Sequence, residues 1–245
     1  MKLDDIEYRL YTSENIKGAD IPAESCFVIN SMPKSGTVWM AAMLEHLLHL
    51  SAGENLFIGH VADIKQDYGK PHLRGTVALV RNIEDVILSW FGHLQSADIA
   101  SGYCAPRYQD VEEFYFLHFL GQLNAKARYW HGDLVAWLDF LAARSIPILK
   151  FEDLRSSPEQ ALGKVLNHWK ISCEEPHIAS VIQRCSRENI STTLAGSSGV
   201  VADLYLRDHL HHSRRVAGIQ LTKRIKSDIE KRFREYKERL DYVDS

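Results

Sequence analysis

The sequence predicts an α/β fold: a parallel sheet of about five strands, with helices on both faces, in a single domain over residues 1–245. Two observations carry this. Short apolar, β-branched runs alternate with longer stretches whose apolar residues recur on a helical repeat. The short runs are also continuously apolar instead of alternating with polar residues, as strands covered on both faces must be. With 45% apolar and 10% aromatic residues in 245, the chain can bury a substantial core, which excludes disordered and fibrous classes. A formal charge of −3 rules out a chain-wide basic field for nucleic acid or anionic membrane, so any anion site must be local.

In chain order, CFVIN at 26–30 reads as a buried strand that empties into the loop SMPKSG, and TVWMAAMLEHLLHL behind it is helical. GTVALV at 75–80 is a second strand, followed by a helix over about Ile83–Leu94. Residues 111–122 and 126–142 are aromatic-rich helical patterns, and IPILKF at 146–151 is a third buried strand. Ser157-Pro158 opens the helix PEQALGKVLNHW, since proline fits a first turn. The Gly/Ser-rich stretch 191–202 predicts a loop. Beyond it, 214–240 carries ten basic against four acidic residues, mostly as a solvated helix face.

Chemistry concentrates in Ser31-Met32-Pro33-Lys34-Ser35-Gly36-Thr37. A strand running through such a loop into a helix converges backbone amides and the positive helix end on an anion, the P-loop type of arrangement. Lys34 adds a point charge, Gly36 allows close backbone approach, and the hydroxyls donate. The pattern is not G-x-x-x-x-G-K-[ST], so a nucleoside triphosphate is not the automatic ligand.

Met32 to Trp39, Met-Pro-Lys-Ser-Gly-Thr-Val-Trp, resembles the 5′-phosphosulfate loop of the cytosolic sulfotransferases, close to Y-P-K-S-G-T-T-W. Val80 to Trp90 is similar to that family's 3′-phosphate motif, in which an arginine ends a strand and a serine follows eight residues later; here these are Arg81 and Ser89. Tyr129-Trp130-His131 through Trp137, leading into Ile148-Leu149-Lys150-Phe151-Glu152-Asp153, resembles the family's next helix and third strand. The resemblance covers roughly 26–170 clearly and 180–240 loosely. It implies transfer of a sulfuryl group from 3′-phosphoadenosine 5′-phosphosulfate (PAPS) to a hydroxyl or amine of a small-molecule acceptor, releasing 3′-phosphoadenosine 5′-phosphate (PAP), with no metal.

The same resemblance assigns roles. Lys34 would stabilise charge on the leaving oxygen; Ser35, Gly36 and Thr37 would wrap the 5′-phosphate; Trp39 would stack on adenine; Arg81 and Ser89 would hold the 3′-phosphate. An arginine at a strand end needs an anion partner in any case, which Asp85 or Glu84 could also supply. His60, 21 residues ahead of Arg81, stands where the family has its general base, a role that suits a neutral imidazole. Phe151 and Ser186 fall at the adenine positions, and Arg214 and Arg215 at the basic segment that closes over the 3′-phosphate. The chain departs from the pattern at Val38 and Ile58, and its interval between Lys34 and His60 is much shorter.

Rival readings are a magnesium-dependent P-loop kinase or NTPase, with Glu152-Asp153 as its carboxylate pair, and a homologue that binds PAPS without turnover. Asp208-His209-Leu210-His211-His212 has metal-capable side chains, but they diverge on any regular backbone and read as surface. Four cysteines without paired spacing, and a charged opening segment with no apolar h-region, predict a reducing, cytoplasmic setting. No run reaches the ~18 apolar residues of a membrane span.

Overall fold

The computed structural model describes residues 26–50, 56–60, 73–100, 108–121, 134–186, 188–190 and 218–242. Its sheet has four strands among those residues: β1 (Cys26–Ser31), β2 (Leu56–His60), β3 (Leu73–Val80) and β4 (Ile148–Lys150). They lie in the order β2-β1-β3-β4, and every pair is parallel. The sheet is therefore doubly wound. The chain steps from β1 outward to β2, then returns to β3 on the other side of β1, leaving a crevice between β1 and β3 at their carboxyl ends, where such sheets place ligands.

The helices are α1 (Thr37–Leu48), α2 (Ile83–Ala100), α3 (Val111–Glu113), which continues as a π-helix over Phe114–Phe119, and α4 (Leu134–Ala143). They are followed by α5 (Phe151–Ser156), α6 (Pro158–His168), α7 (Glu175–Arg184) and α8 (Lys223–Arg239). Side chains alternate across the pleat: Val77 and Leu79 point into a core with α1, α6 and α7, while Ala78 and Val80 point into a core with α2, the π-helix, α4 and α8. This two-sided burial explains the continuous apolar runs. Within α8 the apolar residues Ile225, Ile229, Phe233 and Tyr236 form one buried stripe, so the basic helix is solvated on its other side only.

The elements differ from the sequence reading in several places, and the helix expected to end near Leu94 runs on to Ala100. The third strand does not run to residue 151: β4 ends at Lys150, and Phe151 is the first residue of α5. Glu152 and Asp153 occupy that helix's first turn, where acidic side chains favour a helix start. The aromatic segment 111–119 is helical as expected, but most of it is wound as a π-helix. The predicted helix 126–142 is seen over Leu134–Ala143, and its earlier part lies outside the described residues. The loop 191–202 and the cluster 208–212 lie outside them too.

In the sheet, Gly75 is required by packing. Gly75 pairs with Phe27 across β1 and β3, and the Trp169 indole lies over both, its ring tilted by 45° at 4.8 Å from Phe27 and donating through Nε1 to the Thr76 carbonyl at 3.2 Å. A Cβ at Gly75 would sit 2.5 Å from the indole. Gly75→Ala is therefore expected to cost about 1–3 kcal/mol by overpacking. At about 2–4 °C per kcal/mol for a chain of this size, thermal unfolding should show a drop of several degrees. An unchanged Tm would mean that Trp169 swings aside freely.

Candidate functional site

Four strand ends meet at the carboxyl edge of the sheet, and the first carries the loop. Beyond Ser31, Met32 N–H donates to the Leu79 carbonyl at 2.9 Å, prolonging the β1–β3 ladder by one bond. The chain then turns sharply, with φ of 61° at Lys34 and 87° at Gly36. A left-handed lysine is uncommon. Ser35 between them is not left-handed, so the sign of φ alternates, the pattern that turns successive amides into a concave anion cradle. Gly36 is the N-cap of α1 and brings no capping side chain, so the first-turn amides keep their capacity for an external anion.

Side chains fix this loop from below. Ser35 Oγ is fully buried and donates to the Met32 carbonyl at 2.5 Å, so its hydroxyl turns into the fold and what it offers the cradle is its backbone. Thr37 Oγ1 lies 2.6 Å from Ser31 Oγ. The ring of Phe151 packs directly on Gly36: a Cβ there would stand 2.7 Å from Phe151 Cδ2. Phe151 thus forms a floor under the loop, set there because α5 begins one residue after β4.

Arg81 follows the end of β3 and is 9% exposed. Its guanidinium donates to the Lys34 carbonyl at 2.8 Å, covers the Phe151 ring at 4.3 Å and stands 3.8 Å from the Asp85 carboxylate. Asp85 is a loose partner, and the backbone bond to the loop is the shorter contact. Asn82 opens α2, its Oδ1 accepting from Glu84 N–H at 2.9 Å. Ser89 lies four residues beyond Asp85 and shares its helix face, half-buried. Loop, arginine and aromatic floor are therefore one contiguous unit, although 47 residues separate Lys34 from Arg81.

Trp39 reaches the end of α7, just ahead of Ser186. The indole Nε1 donates to the Cys185 carbonyl at 2.8 Å, and Ser186 is the next residue. Burial pushes the Cys185 thiol up to about 11, so it is inert as a nucleophile and serves as packing. Nearby, burial first and the Arg184 charge second hold His46 below the usual imidazole range. His60 ends β2 with its backbone in register with Ser31, which brings that strand end beside the start of the loop. Arg214 and Arg215 lie outside the described residues.

Glu152 braces two other segments. One carboxylate oxygen accepts from Asn82 N–H at 3.3 Å and the other from the Tyr242 hydroxyl at 2.8 Å. Sequence reasoning missed this brace and also Tyr236, which reaches the Arg81 carbonyl at 3.0 Å. Tyr236 lies on the buried stripe of α8, and which strand end it meets depends on the sheet order.

The family model for the sulfotransferase domain matches residues 75–198, just over half of the chain. The chain belongs to the sulfotransferase family. The matched segment of this sulfotransferase holds Arg81, Ser89, Phe151 and Ser186, whereas the loop at 31–37 and His60 precede it. No curated protein sequence matches the chain. Among solved structures, the fold is similar to that of a mouse sulfotransferase complexed with PAP, at a TM-score of 0.67 and 17% identity, covering 94% of this chain and 91% of that one. It is also similar to retinol dehydratase in complex with androsterone and PAP (TM-score 0.62, 11% identity, 94% and 82% covered) and with retinol and PAP (0.58, 11%, 94% and 83%). No helix of the described residues is long and apolar enough to cross a membrane.

Proposed function

We propose that this sulfotransferase moves the sulfuryl group of PAPS to a hydroxyl or amine of a small-molecule acceptor by direct in-line attack. The acceptor atom bonds to sulfur as the bond from sulfur to the bridging phosphate oxygen breaks, and that oxygen leaves with the developing charge on PAP. The protein's part is to position the two partners and to stabilise that charge. Lys34 meets the leaving oxygen; the amides of residues 35–37 hold the 5′-phosphate; Arg81 and Ser89 hold the 3′-phosphate; His60 takes the acceptor proton. Trp39, with Ser186 beside it, receives the adenine, and Arg214 and Arg215 cover the 3′-phosphate. Phe151 bears on the nucleotide through the loop and Arg81 that it supports.

The observation that carries this reading is the bond from the Arg81 guanidinium to the Lys34 carbonyl, which makes two anion-binding strand ends one unit at the switch point of the sheet. A donor with phosphates at both its 5′ and 3′ positions needs such a pair. The similar structures solved with PAP support the same donor, and those solved with androsterone or retinol support a small alcohol as acceptor. Against a magnesium-dependent kinase, the loop lacks the first glycine of G-x-x-x-x-G-K-[ST], and Glu152 is engaged in bracing Asn82 and Tyr242. No step of the proposed reaction calls for a metal, and we place it in the cytoplasm.

Thermal unfolding with PAP, with ADP and with ATP plus magnesium tests the donor. At a hundred times its dissociation constant a ligand of the native state adds about 2.7 kcal/mol, a rise of roughly 5–10 °C for a chain of this length. PAP without metal should give that rise, ADP a smaller one. A rise with ATP and magnesium alone would overturn the reading in favour of a kinase, and PAP binding without turnover of PAPS on any acceptor would favour an inactive homologue.

A further inference from the structure

The residues that hold the backbone at Arg81 and Asn82 come from α8 and the residues just after it. Tyr236 is buried on α8, and its hydroxyl reaches the Arg81 carbonyl at 3.0 Å and Met32 Sδ at 2.7 Å. Six residues on, Tyr242 stacks on Tyr236 with ring centroids 6.3 Å apart and donates to Glu152, whose other oxygen holds the amide of Asn82. Two consecutive backbone groups at the end of β3, the carbonyl of 81 and the amide of 82, are thus fixed by residues 236–242, one directly and one through Glu152. Packing alone does not require this. A buried hydroxyl costs desolvation that a phenylalanine would avoid, and only a specific acceptor offsets it. Burial holds the Tyr236 hydroxyl well above its ordinary pKa, so it stays a neutral donor through the whole working range.

Arg81 can place its guanidinium reproducibly only if its own backbone is fixed, because the side chain has several rotatable bonds and must reach from β3 to Lys34. We infer that Tyr236 is a positioning residue for the donor's 3′-phosphate, acting through the Arg81 backbone; this rests on the donor reading above. The helix α8 and the nucleotide site are then coupled through the Tyr236 hydroxyl, with Tyr242 and Glu152 holding the next residue. Losing the hydroxyl should weaken recognition of the 3′-phosphate more than that of the 5′-phosphate, because it holds the backbone of the residue that reads the 3′ group, whereas in the 31–37 loop it meets the Met32 sulfur and not the amides of 35–37.

The test is the affinity of Tyr236→Phe for PAP and for adenosine 5′-phosphate, which lacks the 3′ group, by calorimetry on the full chain. Affinity for PAP should fall about tenfold and that for adenosine 5′-phosphate by less than twofold, with a Tm a few degrees lower. Equal losses for the two ligands would mean that Tyr236 is only structural, and unchanged preference for PAP would overturn the inference while leaving the donor reading intact. A wild-type protein that shows no preference for PAP would overturn the donor reading and the inference together. Should Tyr236→Phe not fold, Tyr236→Met removes the same hydroxyl while filling the space with a flexible apolar side chain. It should reduce the preference for PAP at least as far, and full preference in that variant would overturn the inference.

Discussion

Arg81→Ala is expected to lower affinity for PAP about a hundredfold while changing that for adenosine 5′-phosphate about threefold at most. A hydrogen bond to a charged group contributes about 1.5–3 kcal/mol, and a guanidinium can offer a phosphate two in parallel. A net loss near 2.7 kcal/mol corresponds to two decades. The burial of Arg81 strengthens the case, since its guanidinium is already ordered between Lys34 and Phe151 and little freedom remains to be lost on binding. Arg81→Lys should recover only part of the affinity, because an ammonium cannot bond to phosphate and to the Lys34 carbonyl in the same planar fork. Calorimetry with both nucleotides checks this. If the two affinities fall by the same factor, Arg81 holds the loop in shape and does not read the 3′-phosphate.

Such a variant should still fold. The guanidinium contributes one backbone hydrogen bond, a ring contact and a loose ion pair with Asp85. The Lys34 carbonyl left behind lies in a loop that water can reach once the side chain is gone, so about 1–2 kcal/mol is the expected cost.

How far this site was legible follows from sequence separation. The loop of 31–37, the arginine after β3 and the serine on α2 could be read locally, because a strand, a breaker and a helix leave their marks within a dozen residues. β2 did not read as a strand: its five residues include a glycine, and its apolar content is shared with no helical or alternating repeat. Phe151 read as a strand residue because it closes the mostly apolar run IPILKF, and only the acidic pair behind it marks the helix start. Its place under Gly36 follows from the parallel pairing of β3 with β4, which no local pattern encodes. The same holds for Tyr236, 155 residues from the carbonyl it holds. Side-chain type and spacing showed which chemistry was present; the sheet order determined which residues brace it.

Lys34→Met should leave the fold and most of the nucleotide affinity in place and reduce sulfuryl transfer about a hundred- to a thousandfold, the range for removing one preorganised donor from a site of developing charge. The backbone supports this separation of effects. Lys34 holds its left-handed conformation through its own carbonyl, bonded to Arg81, and through the neighbouring Ser35, whose hydroxyl is bonded inward to Met32. Neither bond uses the lysine side chain, so the cradle of amides survives the substitution. Charge on the bridging oxygen is small in bound PAPS and large as the bond to sulfur breaks, so an ammonium there acts mainly on the rate. Single-turnover transfer from labelled PAPS to a panel of phenols and alcohols, set beside PAP calorimetry on the same variant, measures the two effects separately. A loss of PAP affinity as large as the loss of rate would make Lys34 a uniform anchor for the donor. The leaving oxygen would then have to be stabilised by the amides at the N-terminus of α1, and Gly36, which brings those amides close, would become the residue on which the chemistry depends.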